Sequence, residues 1–241
     1  MDSANSDLLT GKAGLTCLKS EGLELLQPQM GYRFSVDVLL LCDFIRLKKR
    51  EQVLDLGAGC GVIALILAKR HEDARITAIE VQRDMACLAL ENIRLNGMEG
   101  HIRLIEWDLN RIHEVVAPGE FDHVVSNPPY RSAGSGRLCT HPCDALARHE
   151  ILTDLSRLLK SARYALRPGG RISLIYPASL TVKLLSTMRE VQLEPKRMQM
   201  IYPRPGANAR LIVVEGCKDA GEEMTVLPPR YIEPIAQPRT I

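Results

Sequence analysis

Short apolar runs rich in β-branched residues alternate with helical patterns from residue 51 onward. Runs of five or six such residues are typical of strands buried in a sheet. Between them, apolar residues recur at intervals of three and four over 83–96, 152–166 and 180–188, which predicts helices with one apolar face. The five predicted strands are QVLDL, RITAI, HIRLI, FDHVVS and RISLIY. This alternation predicts an α/β fold with a doubly wound, mostly parallel sheet.

The pattern changes after residue 191, where two strand-like runs follow each other without a helix between them. They are PKRMQMIYP and ARLIVVEG, and the link RPGAN is rich in turn-forming residues. This predicts an antiparallel hairpin at the sheet edge. Upstream, SVDVLLLCDFI predicts one amphipathic helix. We therefore divide the chain into an N-terminal extension with a helix (1–50), the main domain (51–217) and an irregular tail (218–241).

Composition places the chain among ordinary globular proteins. Of 241 residues, 46% are hydrophobic and 25% are charged, which excludes wholesale disorder. The longest apolar runs, such as GVIALILA, are too short to span a bilayer, and the N-terminus lacks the pattern of a secretion signal. We expect a cytoplasmic protein with no membrane partner. The formal net charge of +2 permits a nucleic-acid partner without requiring one.

The seven cysteines are scattered and odd in number, which suits reduced thiols in the cytosol. The segment CTHPC, with Cys139 and Cys143 around His141, has the residue types of a zinc site. No second pair of cysteines or histidines at metal-ligand spacing completes four ligands. The sequence therefore predicts no bound metal.

A glycine turn follows the first strand of the main domain, in the segment VLDLGAGCGVIALILAKR. Gly57, Gly59 and Gly61 allow positive φ angles and a close approach of a ligand to the backbone, and the following helix offers free amides. A nicotinamide-binding fingerprint needs a third glycine where Val62 stands. Asp55 on the strand would repel a pyrophosphate and attract an ammonium group. The turn therefore favours a different ligand from a dinucleotide.

Acidic residues end or follow three successive predicted strands. Asp55 lies on the first, Glu80 ends the second and Asp108 follows the third. A carboxylate at the position of Glu80 can accept from both hydroxyls of a ribose, and Asp108 can accept from an exocyclic amine. Each acid alone can be a solvated strand end. Three of them on one rim, beside a glycine turn, indicate a ligand site.

A double proline follows the strand FDHVVS, in the turn Asn127 to Tyr130. The turn can be a plain strand end, since proline cannot donate to a sheet ladder and disfavours helix in the residue before it. It can also be a catalytic clamp. The turn alone does not decide between these interpretations.

Four motifs in this order, DLGAGCG, ITAIE, EWD and SNPPY, resemble those of the class I methyltransferases that use S-adenosylmethionine. The resemblance covers about residues 30–215. It implies a Rossmann-like, seven-stranded sheet whose last strand is antiparallel, with S-adenosylmethionine as cofactor and no metal. The implied cofactor residues are Asp55, Gly57, Gly59 and Gly61 around the methionine portion, Glu80 at the ribose hydroxyls and Asp108 at the adenine amine.

In this family an Asn-Pro-Pro-Tyr turn marks methyl transfer to a planar nitrogen, such as adenine N6, cytosine N4 or a glutamine amide. Such a nitrogen is a poor nucleophile because its lone pair is delocalised. The resemblance implies that Asn127 and the Pro128 carbonyl accept the two amine hydrogens and favour a pyramidal nitrogen. It also implies that Pro128 and Pro129 stiffen the turn and that Tyr130 stacks on the flat substrate.

Together with these motifs, LLQPQMGYRFSVDVLLLCDF and ARHE resemble a bacterial tRNA adenine-N6 methyltransferase family that modifies a purine beside the anticodon. This implies a tRNA partner, and a role for residues 32–37 and the N-terminal helix in closing the cofactor pocket. Cations available to phosphates are Arg46 to Arg50, Arg131, Arg137, His141, Arg148, His149, Lys196, Arg197, Arg204 and Arg210.

Alternatives remain open at this stage. A glutamine-N5 protein methyltransferase usually carries an N-terminal domain of about 70–80 residues, a typical small-domain size, whereas only about 50 residues precede the first strand of the sheet here. Other RNA targets, and an RNA-binding module that has lost the reaction, are further possibilities. The oligomeric state is not indicated by the sequence.

Overall fold

The structure is a computed structural model that describes residues 13–28, 36–128 and 155–232. Strands and helices alternate between two antiparallel hairpins, one at each end of the chain. The strands are β1 (Ala13–Leu18), β2 (Leu23–Pro28), β3 (Gln52–Leu56), β4 (Arg75–Glu80), β5 (Ile102–Glu106), β6 (Phe121–Ser126), β7 (Leu166–Pro177), β8 (Leu193–Tyr202), β9 (Leu211–Lys218), β10 (Thr225–Val226) and β11 (Arg230–Tyr231). The helices are α1 (Val36–Phe44), α2 (Val62–Arg70), α3 (Arg83–Leu95), α4 (Leu155–Ala165) and α5 (Thr181–Glu190), with 3-10 turns at Leu109–Glu114 and Ala178–Leu180.

In the described part of the chain, seven long strands form the central sheet in the order β5-β4-β3-β6-β7-β9-β8. All of them run parallel except β9. This confirms the predicted doubly wound α/β sheet and its C-terminal antiparallel hairpin. The strand order reverses between β3 and β6, which is where open α/β sheets bind their ligands.

Helices cover both faces of the sheet. The core on one face contains residues of α1, α2 and α3, and the core on the other contains residues of α4 and α5. Strand β3 lies in the middle, so four of its five residues are buried, on both faces. Such strands appear as continuous apolar runs rather than alternating ones. Asp55 is the exception within this run, because it is a charged residue that is fully buried.

The N-terminal hairpin β1–β2 was not predicted from the sequence. Its strand β2 buries Leu23, Leu25 and Gln27, while the intervening Glu24 is exposed. This alternation is short, and the surface that β2 packs on, helix α3, lies more than 60 residues away. Helix α1 is confirmed where it is described, but it is not amphipathic. Its buried residues surround the helix because it packs on α2, β7 and β9: Val38, Leu40, Leu41, Cys42 and Phe44.

The tail predicted to be irregular contains two short strands. Residues 225–226 and 230–231 pair in parallel with β8. The physical reason is that β8 is otherwise an edge strand with unpaired backbone groups. The Leu227 amide donates to the Met198 carbonyl at 2.8 Å, and the Ile232 amide donates to the Tyr202 carbonyl at 2.9 Å. The division of the chain at residues 50 and 217 stays a prediction.

Candidate active site

The predicted ligand residues lie side by side along one edge of the sheet. Parallel strands β6, β3, β4 and β5 are neighbours in this order, and their carboxyl ends carry Asn127, the glycine turn, Glu80 and Asp108 respectively. Neighbouring strands are about 4.8 Å apart, so the row spans roughly 14 Å. The edge can therefore hold one elongated ligand against three acids, with Asn127 at one end.

The glycine turn has the backbone shape that only glycine adopts easily. Gly57, Gly59 and Gly61 have φ angles of 74°, 57° and 84°. A side chain on Gly57 would meet no atom within 4 Å, so that face of the turn is open to a ligand. A Cβ on Gly61 would lie 3.3 Å from the Ala89 Cβ, so this glycine allows α3 to pack closely against the turn.

Asp55 is a fully buried carboxylate with no counter-charge among the residues that the structure describes. Neither of its oxygens has a hydrogen-bond partner among the described residues. The pKa of Asp55 is raised from 3.8 to about 7, chiefly by burial and in addition by the charge of Glu80, while the nearby Ala64 backbone amide partly offsets the rise. A buried, unpaired carboxylate is costly to the fold. It suits a site in which a ligand supplies the missing ammonium group.

Glu80 holds the glycine turn in place while keeping room for further hydrogen bonds. Its Oε2 accepts from the Gly59 amide at 2.8 Å and its Oε1 from the Gln82 amide at 2.8 Å. Burial raises the pKa of Glu80, and the backbone amides of Gln82, Gly59 and Val81 oppose that rise. Each carboxylate oxygen can accept more than one hydrogen bond. Both oxygens can therefore also receive the two hydroxyls of a ribose.

Asp108 lies beyond β5 and caps the 3-10 turn that follows. Its Oδ1 accepts from the Asn110 backbone amide and side-chain nitrogen, both at 2.9 Å. Its Oδ2 takes part in neither of these hydrogen bonds. The half-buried carboxylate is thus oriented by one oxygen and can accept from an amine with the other.

Asn127 and Pro128 follow β6 directly, next to the glycine turn, and both are half-buried. A hydrogen bond that the sequence did not predict holds the end of β6 close to the end of β3. The Ser126 hydroxyl, fully buried, donates to the Leu56 carbonyl at 2.8 Å. It joins the last residue of β6 to the residue immediately before Gly57. A serine within an apolar strand was the only sequence signal for this contact.

Several predicted residues lie outside the described part of the chain. They are Pro129, Tyr130, Tyr32, Phe34, Arg131, Arg137, Cys139, His141, Cys143, Arg148 and His149. Among the residues that are described, no group of three or more His, Cys, Asp or Glu side chains could hold a metal ion. Nor does that part of the chain contain a helix that is both long and apolar enough to cross a membrane.

The structure places the predicted cations in different environments. Residues 46–50 precede β3, so they lie at the opposite edge of the sheet, where Lys48, Lys49 and Lys69 line a cleft. Arg197 is buried, with its guanidinium 4.2 Å from the centre of the Phe44 ring. Lys196 donates to backbone carbonyls at Gly221 and Glu222. Among the cations of the terminal hairpin, only Arg204 and Arg210 are exposed and form no ion pair with any described residue.

Comparison with known proteins agrees with this architecture. The methyltransferase small domain family matches residues 36–196. A tRNA1(Val) (adenine(37)-N6)-methyltransferase from Parabacteroides distasonis is 31% identical over 186 residues, which are 76% of each chain. The enzyme of the same name from Aeromonas salmonicida is 30% identical over 183 residues, 76% of this chain and 75% of the relative.

Solved structures share the fold at lower sequence identity. A predicted O-methyltransferase from Agrobacterium tumefaciens superposes with a TM-score of 0.65 at 23% identity, covering 81% of this chain and 87% of that one. A geranyl diphosphate C-methyltransferase from Streptomyces coelicolor, in complex with S-adenosyl-L-homocysteine, gives 0.55 at 13% identity, covering 75% and 74%. The chain therefore belongs to the methyltransferase small domain family and is a class I, S-adenosylmethionine-dependent methyltransferase.

Proposed function

We propose that this protein methylates the exocyclic N6 amine of an adenine in RNA, in a tRNA near the anticodon, in the cytoplasm. One observation carries the proposal: Asn127 directly follows β6, the strand beside β3, and the Ser126 hydroxyl at the end of β6 donates at 2.8 Å to the Leu56 carbonyl, just before the glycine turn. A planar amine at Asn127 would thus face a ligand bound along the glycine turn. The names of the two relatives support adenine N6 in tRNA as the acceptor.

The cofactor residues have the hydrogen-bond acceptors that S-adenosylmethionine requires. The unpaired Asp55 carboxylate fits the ammonium of the methionine portion. The carboxylate of that portion needs donors other than the amides of Gly57, Ala58, Gly59 and Gly61, because these already donate within the protein. Glu80 can accept from both ribose hydroxyls, and Asp108 can accept from the adenine amine. Bound S-adenosylmethionine supplies an electrophilic methyl group on sulfur.

The protein's part in the reaction is to hold the acceptor nitrogen. The side-chain oxygen of Asn127 accepts one amine hydrogen, and the Pro128 carbonyl accepts the other. These bonds favour a pyramidal nitrogen with its lone pair directed at the methyl group. Orientation of two reactants can supply about 7–11 kcal/mol in favourable model systems. Pro129 and Tyr130, which continue the turn, would add rigidity and a stacking surface.

The end of the terminal hairpin offers a surface for the RNA that surrounds the target base. Strand β8 runs parallel to β6, and Met198 is level with Ser126 across β7 and β9. Four further residues extend β8 about 13 Å past that level. There the rings of Tyr202 and Tyr231 lie 5.9 Å apart. Aromatic faces and free cations are the groups that bind unpaired RNA. We propose that Tyr202, Tyr231, Arg204 and Arg210 form the RNA surface.

Reversing the charge of both arginines of the RNA surface should weaken tRNA binding. In Arg204→Glu/Arg210→Glu, we expect KM for tRNA to rise at least about tenfold and the salt slope of binding to fall by about two, one for each lost phosphate contact. S-adenosylhomocysteine affinity should not change. Lys48→Glu/Lys49→Glu is the matched control, because it makes the same charge change at the opposite edge. Equal losses of tRNA binding in the two double variants would indicate a general charge effect and contradict the proposed RNA surface.

Nucleoside mass spectrometry tests the reaction itself. Purified protein incubated with bulk tRNA and S-adenosylmethionine should form N6-methyladenosine, and the Asn127→Ala variant serves as the inactive control. An unchanged RNA together with a methylated glutamine in a protein substrate would contradict the RNA proposal and favour the glutamine-N5 activity. Failure of the wild-type protein to bind S-adenosylhomocysteine would instead favour a binding module without the reaction.

A further inference from the structure

Asn92 on helix α3 is fully buried, and its side chain makes three hydrogen bonds. The Leu26 amide donates to its Oδ1 at 2.6 Å. Its Nδ2 donates to the Leu26 carbonyl and to the Cys60 carbonyl, both at 2.9 Å. One side chain therefore binds strand β2 of the N-terminal hairpin and the glycine turn simultaneously.

Asn96, one helical turn later, repeats the contact with β2 but not the contact with the glycine turn. The Glu24 amide donates to its Oδ1 at 3.0 Å, and its Nδ2 donates to the Glu24 carbonyl at 2.7 Å. Four residues of helix rise about 6 Å and two residues of strand about 6.6 Å, so the two asparagines match alternate residues of β2. Asn92 and Asn96 thus form hydrogen bonds with the backbone groups at the free edge of β2, as a neighbouring strand would.

The carbonyl that Asn92 binds lies at the centre of the cofactor turn. Cys60 stands between Gly59, whose amide donates to Glu80, and Gly61, which packs against α3. Without the Asn92 donor, the Cys60 carbonyl would lose this partner in the interior. A buried polar group without a partner is costly, so the turn would shift to satisfy it. The position of Gly59 and its bond to Glu80 would change with it.

We propose that Asn92 is a positioning residue that holds the glycine turn in its cofactor-binding shape and couples cofactor binding to the docking of the β1–β2 hairpin. The inference rests on the proposed role of the glycine turn in cofactor binding. Such coupling is reciprocal: if the docked hairpin favours the binding-competent turn, bound cofactor must favour the docked hairpin to the same extent.

Calorimetric titration of S-adenosylhomocysteine compares Asn92→Ala with Asn96→Ala. Both variants remove hydrogen bonds to β2, and both should lower the melting temperature. Only Asn92→Ala removes the contact with the glycine turn. Its dissociation constant should rise about tenfold, whereas that of Asn96→Ala should stay within twofold of the wild type. Equal affinities in all three proteins, or equal losses in the two variants, would overturn the proposal.

Steady-state kinetics give a second readout that a merely structural role would not produce. For Asn92→Ala, KM for S-adenosylmethionine should rise about tenfold while KM for tRNA stays within twofold. A parallel rise in both constants, or a fall in kcat with neither constant changed, would overturn the positioning role. Asn96→Ala should leave all three parameters within twofold of the wild type.

Hydrogen exchange tests the coupling without any variant, and so does not depend on whether Asn92→Ala folds. Saturating S-adenosylhomocysteine should slow exchange at the amides of Leu26 and Glu24 in the wild-type protein, about fivefold or more. Unchanged exchange in β2, with bound ligand verified by protection of Gly59, would overturn the coupling. A wild-type protein that does not bind the ligand at all would refute the cofactor role itself, which is a different outcome.

Discussion

Replacing Asn127 by alanine should lower the rate of methyl transfer by at least about a hundredfold, the usual loss when one preorganised polar contact to the reacting group is removed. The expected cause is the loss of one of two acceptors that shape the amine nitrogen. Asn127 is half-buried and follows the last residue of β6, at one end of the row and beside the proposed cofactor residues rather than among them. S-adenosylhomocysteine affinity should therefore stay within about twofold, which separates a lost acceptor from a lost cofactor site.

The conservative variant Asn127→Asp supplies the control. A carboxylate keeps an acceptor oxygen at the same place, so it should retain at least about tenfold more activity than alanine. Single-turnover rates with tRNA, and melting temperatures of both variants, are the measurements. Near wild-type turnover in Asn127→Ala would show that the turn is only a strand end. Equal loss in both variants would mean that the amide nitrogen, and not its oxygen, is required.

Replacing Asp55 by asparagine should stabilise the ligand-free protein at pH 8 and weaken cofactor binding. The pKa of Asp55 is about 7 in the folded protein against 3.8 ordinarily, because of burial and the Glu80 charge. The fold thus favours the protonated form of Asp55. The protonated Asp55 makes its full contribution to the free energy of unfolding below pH 4, and this contribution is lost as the pH rises through 7. At about 1.4 kcal/mol per tenfold change in proton affinity, the ionised carboxylate costs about 4 kcal/mol at pH 8.

An asparagine avoids the charge but still buries an unpaired amide, at a cost of roughly 1–3 kcal/mol. We therefore expect a net gain of about 1–3 kcal/mol in the free energy of unfolding at pH 8, and little or no gain at pH 5, where Asp55 is largely protonated. Urea unfolding without ligand at the two pH values measures it. Asp84→Asn, at an exposed position of α3, is the control and should change stability by less than about 0.5 kcal/mol.

The same variant should lose cofactor affinity, about tenfold to a hundredfold, because a charged partner of the ammonium group is removed. A gain in stability with a loss in binding is the pattern of a functional residue held at a cost to the fold. A variant that is destabilised equally at pH 5 and pH 8 would contradict this account of Asp55. It would mean that the carboxylate has a stabilising partner in the folded chain.

The sequence alone identified the doubly wound sheet and predicted a ligand site at the carboxyl ends of its strands. Asp55, the three glycines, Glu80 and Asn127 each belong to a local pattern, a strand that ends in a turn. Parallel strands end at the same edge, so local patterns were enough to bring these residues into one row. The acids are recognisable because a charged residue at the end of an apolar run is conspicuous.

The cations were less predictable. Arg197 and Lys196 belong to the same predicted hairpin as the cations that face solvent, yet Arg197 is buried against Phe44 and Lys196 is held by the tail. Counting charges along the chain could not separate them from Arg204 and Arg210. Exposure and pairing depend on which elements pack nearby, and here these are helix α1 for Arg197 and the tail residues Gly221 and Glu222 for Lys196.

What the sequence determined by itself is which residues end the strands and the chemistry that each end carries, because these are properties of short, continuous segments. Only the tertiary structure decided how those ends are held and charged. The Ser126 hydroxyl and the Leu56 carbonyl are 70 positions apart, and Asn92 and Leu26 are 66 apart. The raised pKa of Asp55 comes from burial by neighbouring elements. Contacts and burial of this kind arise from packing between distant segments, which no local pattern encodes.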